Sequence, residues 1–251
     1  MNKFGWVLVS LLSLAGCAGQ DDLDDTVAPA RSGSQDALAQ AKTHLVLLSG
    51  QSNMSRMIWS DEANQTGNLL GQVFTPALQK AFPNDQFIIV PVAYGGRPIS
   101  GWVPDGPIYN ELLRTARQRT AGRTIDTITF IWRQGEADHD NDALARAYEG
   151  NLRKLYNQLK ADFKTPEINW VIGRLNDATI RMTPSWEYHD NWMLIRKNEV
   201  DVANSIDRAR WVNCDTFNDD GGNGIHGAPS DYLRQQKAFA EAAIALIQAG
   251  Q

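Results

Sequence analysis

From residue 43 onward the chain alternates short apolar runs with longer stretches whose apolar positions recur at helical spacing. The short runs cover residues 44–48, 87–93, 127–132, 168–172 and 210–213. Most are apolar at successive rather than alternate positions, which predicts strands covered on both faces. Residues 109–119 and 143–163 read as amphipathic helices, the second carrying Leu144, Ala147, Tyr148, Leu152, Leu155, Tyr156 and Leu159 on one face. The alanine and leucine spacing over residues 232–248 predicts a closing helix packed on the sheet. Such alternation predicts an α/β domain built on a five-stranded parallel sheet. Ligands of open parallel sheets bind beyond the carboxyl ends of the strands, so chemistry is sought in the segments that follow each strand.

The pattern before residue 43 is different. Lys3 precedes an apolar stretch, residues 4–14, that is too short to span a bilayer, and residues 1–16 are expected to be a cleaved signal peptide. Leu14-Ala15-Gly16-Cys17 resembles the lipobox of bacterial lipoproteins. That resemblance implies lipidation of Cys17 with several acyl chains, which anchor firmly where one holds marginally. Ala18 after the cysteine then implies the bacterial outer membrane. Residues 17–42, rich in Asp, Ala, Ser, Gly and Gln, are expected to form a flexible tether, leaving residues 43–251 as one folded domain.

A net charge of -5 without any basic run excludes a nucleic-acid partner, whose phosphates need clustered Lys and Arg. With Cys17 lipidated, Cys214 has no cysteine to pair with, so a hydrophobic core rather than a disulfide frame must stabilise the domain. Cys214 itself reads as a small buried hydrophobe. No metal or cofactor is expected. Residues 138–149 partly imitate a calcium-binding loop, but Ala143 stands where the sharp turn needs glycine, and Asp142 reads as the N-cap of the next helix.

Four segments carry candidate chemistry. After the first strand, Ser49-Gly50-Gln51-Ser52-Asn53-Met54 lifts a serine hydroxyl to the sheet edge in a glycine turn. After the second, Gly95-Gly96-Arg97 and the nearby Trp102 follow, where paired glycines free backbone N–H groups to stabilise an oxyanion. After the third comes Gln134-Gly135-Glu136-Ala137-Asp138, an amide and two acids together. After the fifth comes the run from Asn218 to His226, containing Asp219, Asp220 and Asn223. Of the four histidines only His226 has both a glycine-rich loop position and nearby acids.

These segments, in this order, resemble the SGNH (GDSL-like) hydrolases, in particular the branch of sialate O-acetylesterases and family 6 carbohydrate esterases. Gly50-Gln51-Ser52-Asn53-Met54 and Gln134-Gly135-Glu136 carry most of the likeness, with Gly95-Gly96 and Gly224-Ile225-His226 supporting it. The resemblance implies a three-layer, flavodoxin-like α/β/α sandwich. It also implies Ser52 as nucleophile, His226 as base, and an oxyanion hole from the Ser52 and Gly96 N–H groups and the Gln134 amide. The implied substrate is an acetylated carbohydrate, polysaccharide or sialic acid, with Arg97, Trp102 and Arg174, and also Trp59 and Trp186, as sugar-facing candidates. One position departs from the family pattern: Asn223 stands where an aspartate usually orients the histidine. In serine proteases the corresponding Asp to Asn change costs about 10⁴ in kcat. Asn223 as a weaker orienter, Asp219 or Asp220 through a rearranged loop, and Glu136 all remain open as the third member. Two other functions also stay open: a non-catalytic carbohydrate-binding lipoprotein, and a lipase or thioesterase of the same superfamily.

Overall fold

The computed structural model describes residues 40–165, 167–178, 188–218 and 224–250. Residues 1–39, which include the expected signal peptide, Cys17 and most of the expected tether, lie outside the described residues, as do Trp186, Asp219, Asp220 and Asn223.

Strands β1 (Thr43–Gly50), β4 (Gln86–Ala93), β5 (Thr127–Arg133), β6 (Asn169–Gly173) and β7 (Ala209–Val212) form one sheet in the order β4-β1-β5-β6-β7. Every neighbouring pair is parallel. Apart from the hairpin β2 (Trp59–Asp61) and β3 (Thr66–Asn68), this is the flavodoxin-like strand order, in which ligands sit where the winding reverses, between the first strand and β5. In register, Gly50 lies level with both Ala93 and Arg133, so the segments after β1, β4 and β5 leave the sheet side by side.

The helices are α1 (Ser52–Ile58), α2 (Phe74–Ala81), α3 (Pro107–Thr120), α4 (Asp142–Asp162), α5 (His189–Asn204) and α6 (Pro229–Ala249). Side chains of a strand alternate between its faces, and β1 feeds two cores accordingly. Leu45 and Leu47 pack with Leu112 of α3, Leu152 and Leu155 of α4 and Trp192 and Ile195 of α5. Val46 and Leu48 pack with Met54 and Met57 of α1, Phe74 and Leu78 of α2, and Phe239 and Ala243 of α6. The result is the three-layer α/β/α sandwich. Each such side chain stabilises the fold by about 1.5–3 kcal/mol relative to exposure, before ordering entropy is counted. No helix among the described residues is long and apolar enough to cross a membrane.

Some local expectations are corrected. On α4 the buried face carries Ala145 with Tyr148, Leu152, Leu155, Tyr156 and Leu159, while Ala147 is exposed, because it lies off the stripe that begins at Ala145. The N-cap of α4 is Asn141, whose side chain accepts from the N–H groups of Ala143 and Leu144, so Asp142 is the first helical residue.

Candidate active site

The site begins with a close approach of two backbones. A Cβ on Gly50 would lie 2.0 Å from the Arg133 carbonyl oxygen, and its φ of +149° is one that side chains rarely adopt. Glycine is required there for β1 to turn against β5 and start α1 at Ser52. The Gln51 N–H then donates to the Arg133 carbonyl at 3.0 Å.

The Ser52 hydroxyl and His226 Nε2 lie 2.8 Å apart. Burial holds His226 below the usual histidine range, the Arg56 cation adds to this, and Glu136 and Glu62 act in the opposite direction. At neutral pH the imidazole is therefore neutral and able to accept the serine proton.

The loop carrying His226 is tied down just before the ring. The Ile225 carbonyl accepts from the side-chain amides of Asn53 at 3.0 Å and Asn176 at 3.1 Å. The Asn218 amide donates to the Gly224 carbonyl at 2.7 Å. Asn53 also donates to Glu136 Oε1 at 2.6 Å and accepts from the Tyr232 hydroxyl at 3.2 Å. Glu136 Oε1 is 2.9 Å from Arg133 Nη1, with both side chains almost fully buried. Burial opposes the charge on Arg133, but Glu136 beside it keeps the guanidinium protonated. Glu136 is thus built into the site through Asn53 and Arg133 and acts on His226 as a nearby charge.

Gln51 and Gln134 organise the third segment. Gln51 Oε1 accepts from Gln134 Nε2 at 3.1 Å and from the Ala137 N–H at 3.0 Å. Gln134 Nε2 also reaches the Arg97 carbonyl at 3.0 Å and Asp138 Oδ2 at 2.5 Å. Its amide nitrogen thus has protein acceptors on all three segments, and in this arrangement Gln134 braces the glycine turn. Asp138 adds a second brace, accepting from the Ile99 N–H at 2.9 Å, and burial raises its carboxyl to about 6. In that turn Gly96 has a φ of +64°, and a Cβ on Gly95 would rest 3.6 Å from the Ser52 Cβ. Gly95, Gly96 and Arg97 are all exposed beside the serine.

The sugar-facing candidates divide. Arg97 borders a cavity of about 480 Å³ with Tyr94, Ser100 and Glu111. Trp102 does not reach a ligand: it has no exposed surface, donates from Nε1 to the Ser49 hydroxyl at 2.8 Å, and packs edge-on against Trp132. A tryptophan shortly after a strand end suits a pocket wall or a core plug, and here it plugs the core beneath β1. Arg174 is held over the Trp211 ring, 4.8 Å from its centre, and pairs with Asp215 at 2.6 Å. Trp59 is half-buried at the start of the hairpin. A cavity of about 560 Å³ lies at the amino ends of β1 and β4, lined by Lys42, Gln86 and Asp126, away from these groups. Among the described residues no cluster of three or more His, Cys, Asp or Glu is arranged to hold a metal ion.

Asn53, Arg133, Asn176 and Tyr232 were not among the sequence candidates. Asn53 and Arg133 adjoin named residues, whereas Asn176 gave only the weak signal of a polar residue just past a strand.

The fold is similar to that of a solved Arabidopsis thaliana protein, with a TM-score of 0.62 at 15% identity over 80% of this chain and 98% of that one. A carbohydrate acetylesterase from Xanthomonas citri aligns with a TM-score of 0.56 at 14% identity, covering 80% of this chain and 56% of that one. In sequence, a probable carbohydrate esterase of Arabidopsis thaliana is 30% identical over 101 residues, 39% of this chain and 38% of that protein. The chain thus spans well under half the length of that curated relative in the matched stretch. The model of the family described as carbohydrate esterase, sialic acid-specific acetylesterase, matches residues 56–244, beginning just after the Ser52 turn. With that match over most of the described domain, the chain belongs to this family of carbohydrate esterases.

Proposed function

We propose that the protein hydrolyses acetyl esters of carbohydrates through an acyl-enzyme on Ser52. The 2.8 Å contact between the Ser52 hydroxyl and a neutral His226 carries the reading. Ser52 Oγ attacks the ester carbonyl carbon while its proton moves to His226 Nε2. The carbonyl oxygen becomes an oxyanion facing the Ser52 and Gly96 N–H groups. Collapse of this adduct breaks the bond to the alcohol oxygen, which takes the proton from His226 and leaves. Water then attacks the acetyl carbon and gives one proton to His226, and the second collapse returns that proton to Ser52 and releases acetic acid, which ionises to acetate in solution.

Positioned base catalysis contributes about 10²–10⁴ in rate, and each oxyanion donor about 10²–10³. Gln134 serves the oxyanion site by holding the carbonyl next to Gly96 rather than by donating to the substrate. Arg97, exposed in that turn, is the proposed contact for substrate hydroxyls, and Arg174, fixed over Trp211, is a second proposed contact. Ser52→Ala is expected to abolish hydrolysis of 4-nitrophenyl acetate and of acetylated sugars while leaving thermal unfolding unchanged. Undiminished turnover by that variant contradicts the assignment.

The lipobox-like segment adds a location to this reading: a lipoprotein of the bacterial outer membrane, anchored through Cys17. Cys17→Ser is expected to shift the protein from the membrane to the soluble fraction, and an unchanged distribution contradicts the anchor.

A further inference from the structure

A further cavity, of about 370 Å³, is lined by residues that neighbour the nucleophile along α1 and the base along the chain. Its lining includes Arg56, Trp59, Gln72, Gly227 and Tyr232. Arg56 lies four residues after Ser52 on α1, so the two side chains share one helix face. Gly227 follows His226 directly, and the Arg56 charge is one of those that depress His226.

The reaction dictates what belongs beside the base. His226 Nε2 must hand its proton to the departing oxygen, which therefore sits within hydrogen-bond reach, about 3 Å, of that nitrogen. The alcohol attached to that oxygen then extends to the His226 side of the serine, whereas the carbonyl oxygen points to the glycine turn.

We infer that this cavity binds the leaving sugar, and that it is built for a neutral hydroxylated ring. The inference rests on the Ser52 and His226 roles proposed above. Arg56 is already paired with Glu62, at 3.1 Å from Nη2 and 3.2 Å from Nε, so the cavity offers a carboxylate no unmatched cation. Trp59 and Tyr232 supply apolar ring surface, and the exposed Gln72 amide can both donate to and accept from hydroxyls. Gln236 shapes the wall: its amide nitrogen is spent on the Met57 and Leu69 carbonyls, and its oxygen on the Phe74 N–H.

The test compares wild type, Trp59→Ala and Gln72→Ala on acetylated neutral methyl glycosides (gluco, manno, galacto and xylo) and on O-acetylated N-acetylneuraminic acid. Labelling of Ser52 by a small fluorophosphonate, whose fluoride leaving group needs no cavity, is measured in parallel. Wild type is expected to favour a neutral glycoside. Trp59→Ala is expected to raise KM for it about tenfold, equivalent to roughly 1.4 kcal/mol, with kcat and fluorophosphonate labelling unchanged. Gln72→Ala, an exposed change, is expected to raise KM in the same direction. Unchanged KM in both variants, or a preference for the acidic sugar that Arg56→Gln removes, overturns the inference. If wild type neither labels nor turns over, the catalytic reading fails instead. Calorimetric binding of the free methyl glycosides then decides the cavity alone: loss of binding in Trp59→Ala upholds it, and equal or absent binding in wild type and variant overturns it.

Discussion

The two amides that converge on the Ile225 carbonyl make a quantitative test of how the base is held. Asn176→Ala removes one neutral hydrogen bond to that carbonyl and the bond from the Ala178 N–H to Asn176 Oδ1, at 3.1 and 3.2 Å. At about 0.5–1.5 kcal/mol each, the loss is roughly 1–3 kcal/mol. If most of it is felt in the transition state, kcat falls about 5–150-fold. Asn53→Ala removes the other bond to the carbonyl, the bond accepted from Tyr232, and the donor to the buried Glu136 carboxylate at 2.6 Å. A bond to a charged group contributes about 1.5–3 kcal/mol, so the total is roughly 2.5–6 kcal/mol and kcat is expected to fall about 10²–10⁴-fold. Because both donors serve one carbonyl, the double variant should depart from additivity. Initial rates on 4-nitrophenyl acetate give kcat and KM, and thermal melts give the stability change. Lower melting temperatures with wild-type kcat in Asn176→Ala, or strictly additive effects, refute the clamp.

The pH profile offers a second check. Activity requires neutral His226, so kcat/KM should rise with pH through a midpoint below the ordinary histidine value of about 6.5. Arg56→Gln removes a cation that disfavours the protonated ring and should move that midpoint upward; an unmoved limb contradicts the electrostatic account. Glu199 bears on stability rather than activity. It is fully buried on α5, accepts from the Leu175 N–H at 2.7 Å, and burial raises its carboxyl to about 8 despite that bond and the Arg133 charge. The folded state then holds a proton that the unfolded chain releases near the ordinary carboxyl value. Stability contributed by this proton is full below that value and lost as pH rises towards about 8. Glu199→Gln is expected to melt higher than wild type at pH above 8 and alike in acid, and equal melting curves at both pH values contradict the assignment.

The sheet was legible because β1, β5 and β6 are buried on both faces and write that burial directly into their composition. The nucleophile turn was legible for a related reason: Gly50 cannot be replaced where β1 brushes the Arg133 carbonyl. The helices that went unassigned lacked the same imprint. The seven residues of α1 are too few to show a period, and the buried face of α5 includes Arg196, Asn198 and Glu199, which read as surface. Within the site, residue types pointed to chemistry but not to partners. Nothing local to Gln134 indicates that its amide will meet the Gln51 and Arg97 acceptors as well as Asp138, because those two arrive from other segments. Trp102 failed in the same way, since its position after β4 suits a pocket or a core equally until the Ser49 hydroxyl is seen to receive its N–H. Asn176 carried little local signal, and only the return of the chain at Ile225 gives it a role.

The central claim is the covalent step on Ser52. Acid-quenching the enzyme during turnover of an acetylated substrate and reading the digest by mass spectrometry tests it most directly. The expected result is one acetyl group on the peptide containing Ser52, accumulating in wild type and absent from Ser52→Ala. Full turnover with Ser52 left unmodified throughout, or an acetyl group on another residue, contradicts the account.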